Sequence, residues 1–243
     1  MPDNRRSMYQ RHPELYRYTS SDRYENPKED FKTIAAALEQ RLDTSAPLSV
    51  ADIGCGNGEL LYYLHRRFPQ WQLHGYDHTA EFIETAKAFP GLAGVGFEQA
   101  DLYDIKGKFD VVIATCFLSL FPEFEEPVEK LLSLCRDGGY VMATGLFNPH
   151  NIEVRVQFCD NSRPETAGQW NTDFNRHSQR RIRDHFSDAV ESIDFQDCTY
   201  DIELPHDPAA PIHVWTVKDE QGRTLLINGA WQIANQTLMV IRK

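Results

Sequence analysis

The sequence predicts an α/β fold, a mostly parallel sheet covered by helices on both faces, and three observations predict it. Short apolar runs alternate with segments of helical spacing from about residue 30 to residue 145. One of those runs, "FDVVIATC", is continuously apolar, the pattern of a strand buried on both faces. A glycine-rich bend, "VADIGCGNGEL" (Val50–Leu60), follows the first run directly, where a parallel sheet opens its ligand crevice.

The first 29 residues are polar and rich in tyrosine (Tyr9, Tyr16, Tyr18, Tyr24) and read as an irregular arm. From Asp30, a plausible N-cap, "DFKTIAAALEQRL" places Phe31, Ile34, Ala35, Leu38 and Leu42 on one helical face. "LSVADI" is then a strand, and "GELLYYLHRRF" a helix turning Leu60, Leu61, Leu64 and Phe68 inward. "WQLHGY" is a strand, "TAEFIETAKAF" a helix, "GVGFEQA" a third strand and "FDVVIATC" a fourth. "PVEKLLSLC" is a helix with Pro127 in its first turn, and "GYVMATG" a fifth strand after the Asp137-Gly138-Gly139 turn. The rhythm breaks after Gly145. Ile152, Val154, Val156 and Phe158 alternate, and a long polar stretch with aromatics follows, so an insertion over about 146–178 is expected. "RRIRDHFSD" resumes as a helix and "ESIDFQDCTYDIEL" as a strand. "IHVWTVK" and "RTLLING" flank "DEQG" as a hairpin, and "TLMVIRK" closes as a strand. The expected organisation is an arm at 1–29 and one domain at 30–243, divided into 30–145, the insertion and a C-terminal part at 179–243.

With 41% hydrophobic and 25% charged residues among 243, the chain has the apolar matter for a core and is not of disordered composition. A net charge of −11 disfavours broad binding to nucleic acid or anionic membrane. Arg176, Arg180, Arg181 and Arg183 are the one basic cluster and read as a solvated helix face. No apolar run approaches the roughly 20 residues that cross a bilayer, and the first residues lack a signal-peptide core, so a cytoplasmic protein is expected. Cys55, Cys116, Cys135, Cys159 and Cys198 form no CxxC pair, and the histidines show no ligand spacing, so no metal is expected.

Glycines in the loop Asp52–Gly58 allow a ligand to approach the backbone and turn N–H donors toward it. Asp77 ends the second strand, placed to accept from both hydroxyls of a ribose. Asp101 ends the third and suits an exocyclic amine, with the N–H of Leu102 for a ring nitrogen. Acids on successive strand ends beside such a loop point to a nucleoside-containing cofactor. The frame from Gly54 carries Glu59 where a dinucleotide fingerprint has its third glycine, and Asp52 precedes the loop. An acid there opposes a pyrophosphate and suits an ammonium and a cationic sulfur.

"VADIGCGNGEL" is similar to the first motif, [D/E]xGxGxG, of class I S-adenosylmethionine-dependent methyltransferases. "LHGYDHT", "QADL" at 99–102, "FDVVIATCFLSLF" at 109–121 and "LCRDGGYVMATG" at 134–145 resemble the family's later motifs in order. Asp137 stands where the family usually has proline. The resemblance implies a Rossmann-like seven-stranded sheet whose last strand is antiparallel. It implies a methionine site at Gly54, Cys55, Gly56 and Gly58 with Asp52 at the amino group. Asp77 and His78 would then hold the ribose, Asp101 and Leu102 the adenine, and Thr115, Cys116 and Phe117 would face cofactor and acceptor. His150 is the first candidate base, ahead of His177 and His185. Tyr16, Tyr18 and Tyr24 are candidate lid residues, and Trp170 and Phe174 candidate walls of an acceptor pocket. No "NPPY"-like motif follows the fourth strand, so a small-molecule acceptor is expected at O or N. A tRNA or protein substrate, a non-catalytic S-adenosylmethionine-binding scaffold and an NAD-dependent oxidoreductase are the alternatives. The acceptor and the oligomeric state are not written in the sequence.

Overall fold

The computed structural model describes residues 22–161, 164, 167–172, 174–208 and 213–243. A short helix α1 (Asp22–Glu25) and α2 (Glu29–Arg41) lead into β1 (Ser49–Ile53), α3 (Glu59–Arg67), β2 (Gln72–Asp77), α4 (Ala80–Ala88) and β3 (Gly96–Gln99). β4 (Phe109–Thr115), α5 (Glu125–Leu134) and β5 (Cys135–Gly145) complete the alternating part. Short strands β6 (Phe147–Asn148), β7 (Gln157–Cys159), β8 (Trp170–Thr172) and β9 (His177–Ser178) follow. Then come α6 (Gln179–Phe186), β10 (Ser192–Asp197), β11 (Trp215–Lys218), β12 (Thr224–Ile227) and β13 (Thr237–Arg242).

Seven strands make one sheet in the order β10-β13-β5-β4-β1-β2-β3. β13 runs antiparallel to both neighbours, and the pairs from β5 to β3 are parallel. Alternate strand residues supply two cores. Val50, Leu73, Val111, Ile113, Met142 and Leu238 pack under α2, α3 and α4. Ala51, Ile53, Val112, Ala114, Val141 and Met239 pack under α5 and α6. Each of the valines, leucines, isoleucines and methionines among them, taken fully out of water, contributes about 1.5–3 kcal/mol. Chain order reverses between β1 and β4, so the ligand crevice lies at the carboxyl ends of those two strands.

Three expectations change. α2 begins at Glu29 with Lys28 in the capping position, and Asp30 is turned inward with 4% of its surface exposed. The alternation at Ile152–Phe158 forms no continuous strand. Only Gln157–Cys159 pairs, with Trp170–Thr172, and Val154 makes one isolated bridge to Arg176. This ribbon lies outside the main sheet, and Ile152, in the irregular segment ahead of it, is 58% exposed. β10 stops at Asp197 because its partner β13 begins opposite it, at Thr237. The "DEQG" hairpin is present as β11 and β12, outside the main sheet.

Backbone polar groups tie the insertion to the turn after β4 at Leu118–Leu120. The Asn175 N–H donates to Ser119 O at 2.8 Å and its side-chain amide to Phe121 O at 3.0 Å. Leu146 N–H donates to the Ser119 hydroxyl at 2.9 Å. Arg181 of α6 lies 5.0 Å over the Phe124 ring and pairs with Glu125 of α5 and Glu153 of the insertion. The insertion is thereby held beside the carboxyl end of β4.

Candidate functional site

The bend after β1 is left-handed at three positions, with φ of 74° at Gly54, 53° at Gly56 and 84° at Gly58. Only glycine takes such angles without strain. A Cβ on Gly54 would stand 3.0 Å from the Phe117 ring, so that ring closes directly on the loop backbone. The expected free N–H donors are used internally. Gly54 and Cys55 both donate to Tyr76 O, at 2.8 and 3.0 Å, and Gly58 donates to Cys55 O at 2.9 Å. Gly56 donates to Asp77 Oδ2 at 3.0 Å. The glycines therefore supply curvature and closeness, and the loop is sewn to the end of β2.

Asp52 is 1% exposed, and its Oδ1 is buried with no hydrogen-bond partner. Burial, then the charges of Asp77 and Glu59, push its carboxyl up to about 8. Asp77 is buried, accepts from Gly56 N–H through Oδ2 and from Thr79 N–H through Oδ1 at 2.9 Å, and lies 3.4 Å from His78 Nδ1. That contact raises the His78 imidazole's proton affinity, burial opposing it. Asp101 is half-buried at the end of the segment after β3, its Oδ1 accepting from Tyr103 N–H at 3.0 Å, and Leu102 is buried beside it.

Thr115, Cys116 and Phe117 sit together at the carboxyl end of β4. Cys116 has φ of 55°, a strained angle for a side-chain-bearing residue, held by its N–H donating to Thr144 O at 2.9 Å and Oγ1 at 3.1 Å. Burial pushes its thiol up to about 11, so it is no nucleophile at neutral pH.

Tyr24 reaches the loop differently from the expected lid. Its hydroxyl donates to Asn57 O at 2.7 Å, while its ring stacks on Phe89 at 4.0 Å and meets Tyr62 edge-on, so its face is used in packing. Tyr16 and Tyr18 lie outside the described residues. His150 is exposed, its N–H donating to Asn148 Oδ1. His177 is buried, its Nε2 at 3.1 Å from Leu118 O, and burial lowers its proton affinity, so it pins the insertion. His185 is exposed on α6, 3.8 Å from Glu129. Trp170 is 65% exposed on its ribbon and Phe174 is half-buried. In the sequence Glu59, which helps raise Asp52, reads only as the residue in place of a fingerprint glycine and Asp30 only as a helix cap, because a first-turn acid looks like ordinary helix-end chemistry.

A family model described as a methyltransferase domain matches residues 45–183. The chain belongs to the methyltransferase domain family. Two relatives and one solved structure are similar to it. It is 30% identical over 118 residues to the trans-aconitate 2-methyltransferase of Deinococcus radiodurans, covering 49% of this chain and 45% of that one. It is 28% identical over 148 residues to the malonyl-[acyl-carrier protein] O-methyltransferase of Anoxybacillus flavithermus, covering 59% and 54%. The chain thus spans about half the length of the relatives it matches. Magnesium protoporphyrin IX methyltransferase from Synechocystis PCC 6803, solved with bound S-adenosylhomocysteine, shares the fold at TM-score 0.57 and 18% identity, over 88% and 82% of the two chains.

The residues present fit the family's cofactor, S-adenosylmethionine. An ammonium group would satisfy the orphaned Asp52 oxygen, and Gly54, Gly56 and Gly58 add no side chain of their own to the bend. Asp77 ends β2 with a carboxylate, and Asp101, expected at the end of the third strand, lies two residues past β3 as the cap of the next turn.

Proposed function

We propose that this chain transfers a methyl group from S-adenosylmethionine to an O or N atom of a small-molecule acceptor by in-line displacement. The observation that carries the reading is the buried, partnerless Asp52 oxygen beside the glycine bend. An uncompensated buried carboxylate costs several kcal/mol, and a bound ammonium removes that cost. When bound, the cofactor supplies an electrophilic methyl on a cationic sulfur.

The chain's own residues bind and orient. Asp52, Asp77 and Glu59 give the cradle a negative field that favours the sulfonium over the neutral thioether product. Asp77 fixes the ribose while tied through Gly56 to the loop, so both halves of the ligand share one rigid support. Phe117 closes on the loop and excludes water from the transfer path, and orientation in a dry site supplies most of the acceleration. The negative net charge, and relatives named for trans-aconitate and for a carrier-bound malonyl group, support a small acceptor.

Calorimetry with S-adenosylmethionine, S-adenosylhomocysteine and NAD tests the reading, followed by label transfer from methyl-tritiated cofactor. Expected are micromolar binding of the first two, no binding of NAD, and transfer to a metabolite. Binding without transfer to any metabolite, protein or tRNA supports the scaffold alternative, and tight NAD binding overturns the cofactor.

A further inference from the structure

The glycine bend is held from two sides. On the inner side β2 takes the N–H groups of Gly54 and Cys55 on Tyr76 O and that of Gly56 on Asp77 Oδ2. On the outer side the Tyr24 hydroxyl, from α1, donates to Asn57 O at 2.7 Å. Asn57 lies between Gly56 and Gly58, both left-handed, where the backbone has the most conformational freedom to lose. The peptide unit joining Asn57 to Gly58 is bonded at both ends. Its oxygen accepts from Tyr24, and its N–H donates to Cys55 O at 2.9 Å. Rotating that unit breaks both bonds.

The Tyr24 ring is itself fixed in place. It stacks on Phe89 at 4.0 Å between centroids and 8° between planes, and it meets Tyr62 edge-on at 5.3 Å. Tyr62 and Phe89 meet each other at 5.3 Å, so the three rings close a triangle. One ring comes from α1, one from the first turn of α3, directly after the bend, and one from the residue that ends α4. Gly91 shows how tightly the triangle is filled, because a Cβ there would stand 2.6 Å from the Tyr62 ring and 2.7 Å from the Phe89 ring. α1 also packs against α3. Burial, with the charges of Glu59 and Cys55 adding to it, pushes the Tyr24 phenol up to about 12, so it remains a donor at neutral pH.

We propose that Tyr24 is a positioning residue for the cofactor, holding the peptide unit between Asn57 and Gly58 in the orientation that receives the methionine moiety. This deepens the methyltransferase reading and rests on it. α1 is then a clasp on the cofactor loop, and the aromatic triangle is what seats the clasp. A bend already held in its bound shape spares the ligand the cost of ordering it, which appears as affinity. The coupling is reciprocal: a bound cofactor tightens α1 on the loop by the factor by which α1 tightens the cofactor.

Two measurements on the full chain test the assignment, one of them free of ligand. Titration calorimetry reads the affinity for S-adenosylmethionine and S-adenosylhomocysteine, and hydrogen–deuterium exchange of residues 54–60 reads the bend in the unliganded protein. Tyr24→Phe keeps the ring and removes the bond. It is expected to weaken both ligands about 5- to 10-fold and to speed exchange of residues 54–60 by a similar factor. In the wild type either ligand should slow exchange at residues 22–28, and Tyr24→Phe should lose that slowing. Trp71→Phe is the control for a merely structural loss. The Trp71 indole donates to Thr44 O at 3.2 Å just ahead of β2, at the end of that strand away from the bend. This variant should lose stability while ligand affinity and exchange at 54–60 stay at wild-type values. Failure of the wild type to bind either ligand sinks the methyltransferase reading and the assignment with it. With wild-type binding intact, unmoved affinity or unmoved exchange at 54–60 in Tyr24→Phe, or equal changes in Trp71→Phe, overturns the assignment alone.

Discussion

Replacing Asp52 with asparagine should stabilise the fold and destroy the cofactor site together. The carboxyl titrates near 8 in the folded protein against an ordinary 3.8, and each pH unit between the two is worth about 1.4 kcal/mol. Because the folded value is the higher one, the unfolded chain releases this proton first. Stability is therefore lost as pH rises from 3.8 and stops falling near 8. Asparagine carries no such proton. The stability gap in favour of Asp52→Asn should widen by about 3–4 kcal/mol between pH 5 and pH 8, as an upper figure. For a chain of this size that is roughly 6–16 °C in Tm. Cofactor affinity should move the other way, because removing one partner of a buried charge pair costs about 2–5 kcal/mol, a Kd raised on the order of 30-fold or more. Scanning calorimetry at pH 5 and pH 8 reads the first effect and titration calorimetry the second. Wild-type binding at pH 7 should also release close to one proton, visible in buffers of different ionisation enthalpy. An equal Tm gap at both pH values, with unaltered affinity, would refute the placement of Asp52 at the ammonium.

Gly54→Ala meets both a φ of 74° and the Phe117 ring at 3.0 Å. It should lose about 1–3 kcal/mol of stability and most cofactor affinity, with Phe117→Ala in the same chain recovering part of the stability in urea titrations. Tyr24→Phe removes the hydrogen bond to Asn57 O and should cost about 1 kcal/mol in the same assay while leaving the Phe89 stack intact. Arg181→Ala frees Glu125 and Glu153, whose Oε2 and Oε1 are buried without partners. Limited proteolysis should then cut the insertion before the sheet. His150→Ala should leave Tm unchanged, since the side chain is exposed, and a transfer rate unchanged as well would remove it as a base.

The alternating half was legible in the sequence because local signals and burial agree there. Strands β1, β2 and β4 are short runs rich in buried apolar residues, the helices between them carry one apolar face, and the left-handed turns at Gly54, Gly56 and Gly58 admit few residues but glycine. Asp52, Asp77 and Asp101 could be located because a parallel sheet brings successive strand ends to one edge. Tertiary packing decided the rest. Whether a glycine N–H faces a ligand or Asp77 depends on how β2 sits beside the loop. Asp30 is a buried carboxylate because α2 packs against α3 and β13. His150 and His177 follow the fifth strand alike, yet one is solvated and the other bonded to Leu118, since the anchoring of the insertion to the turn after β4 sets the burial of each.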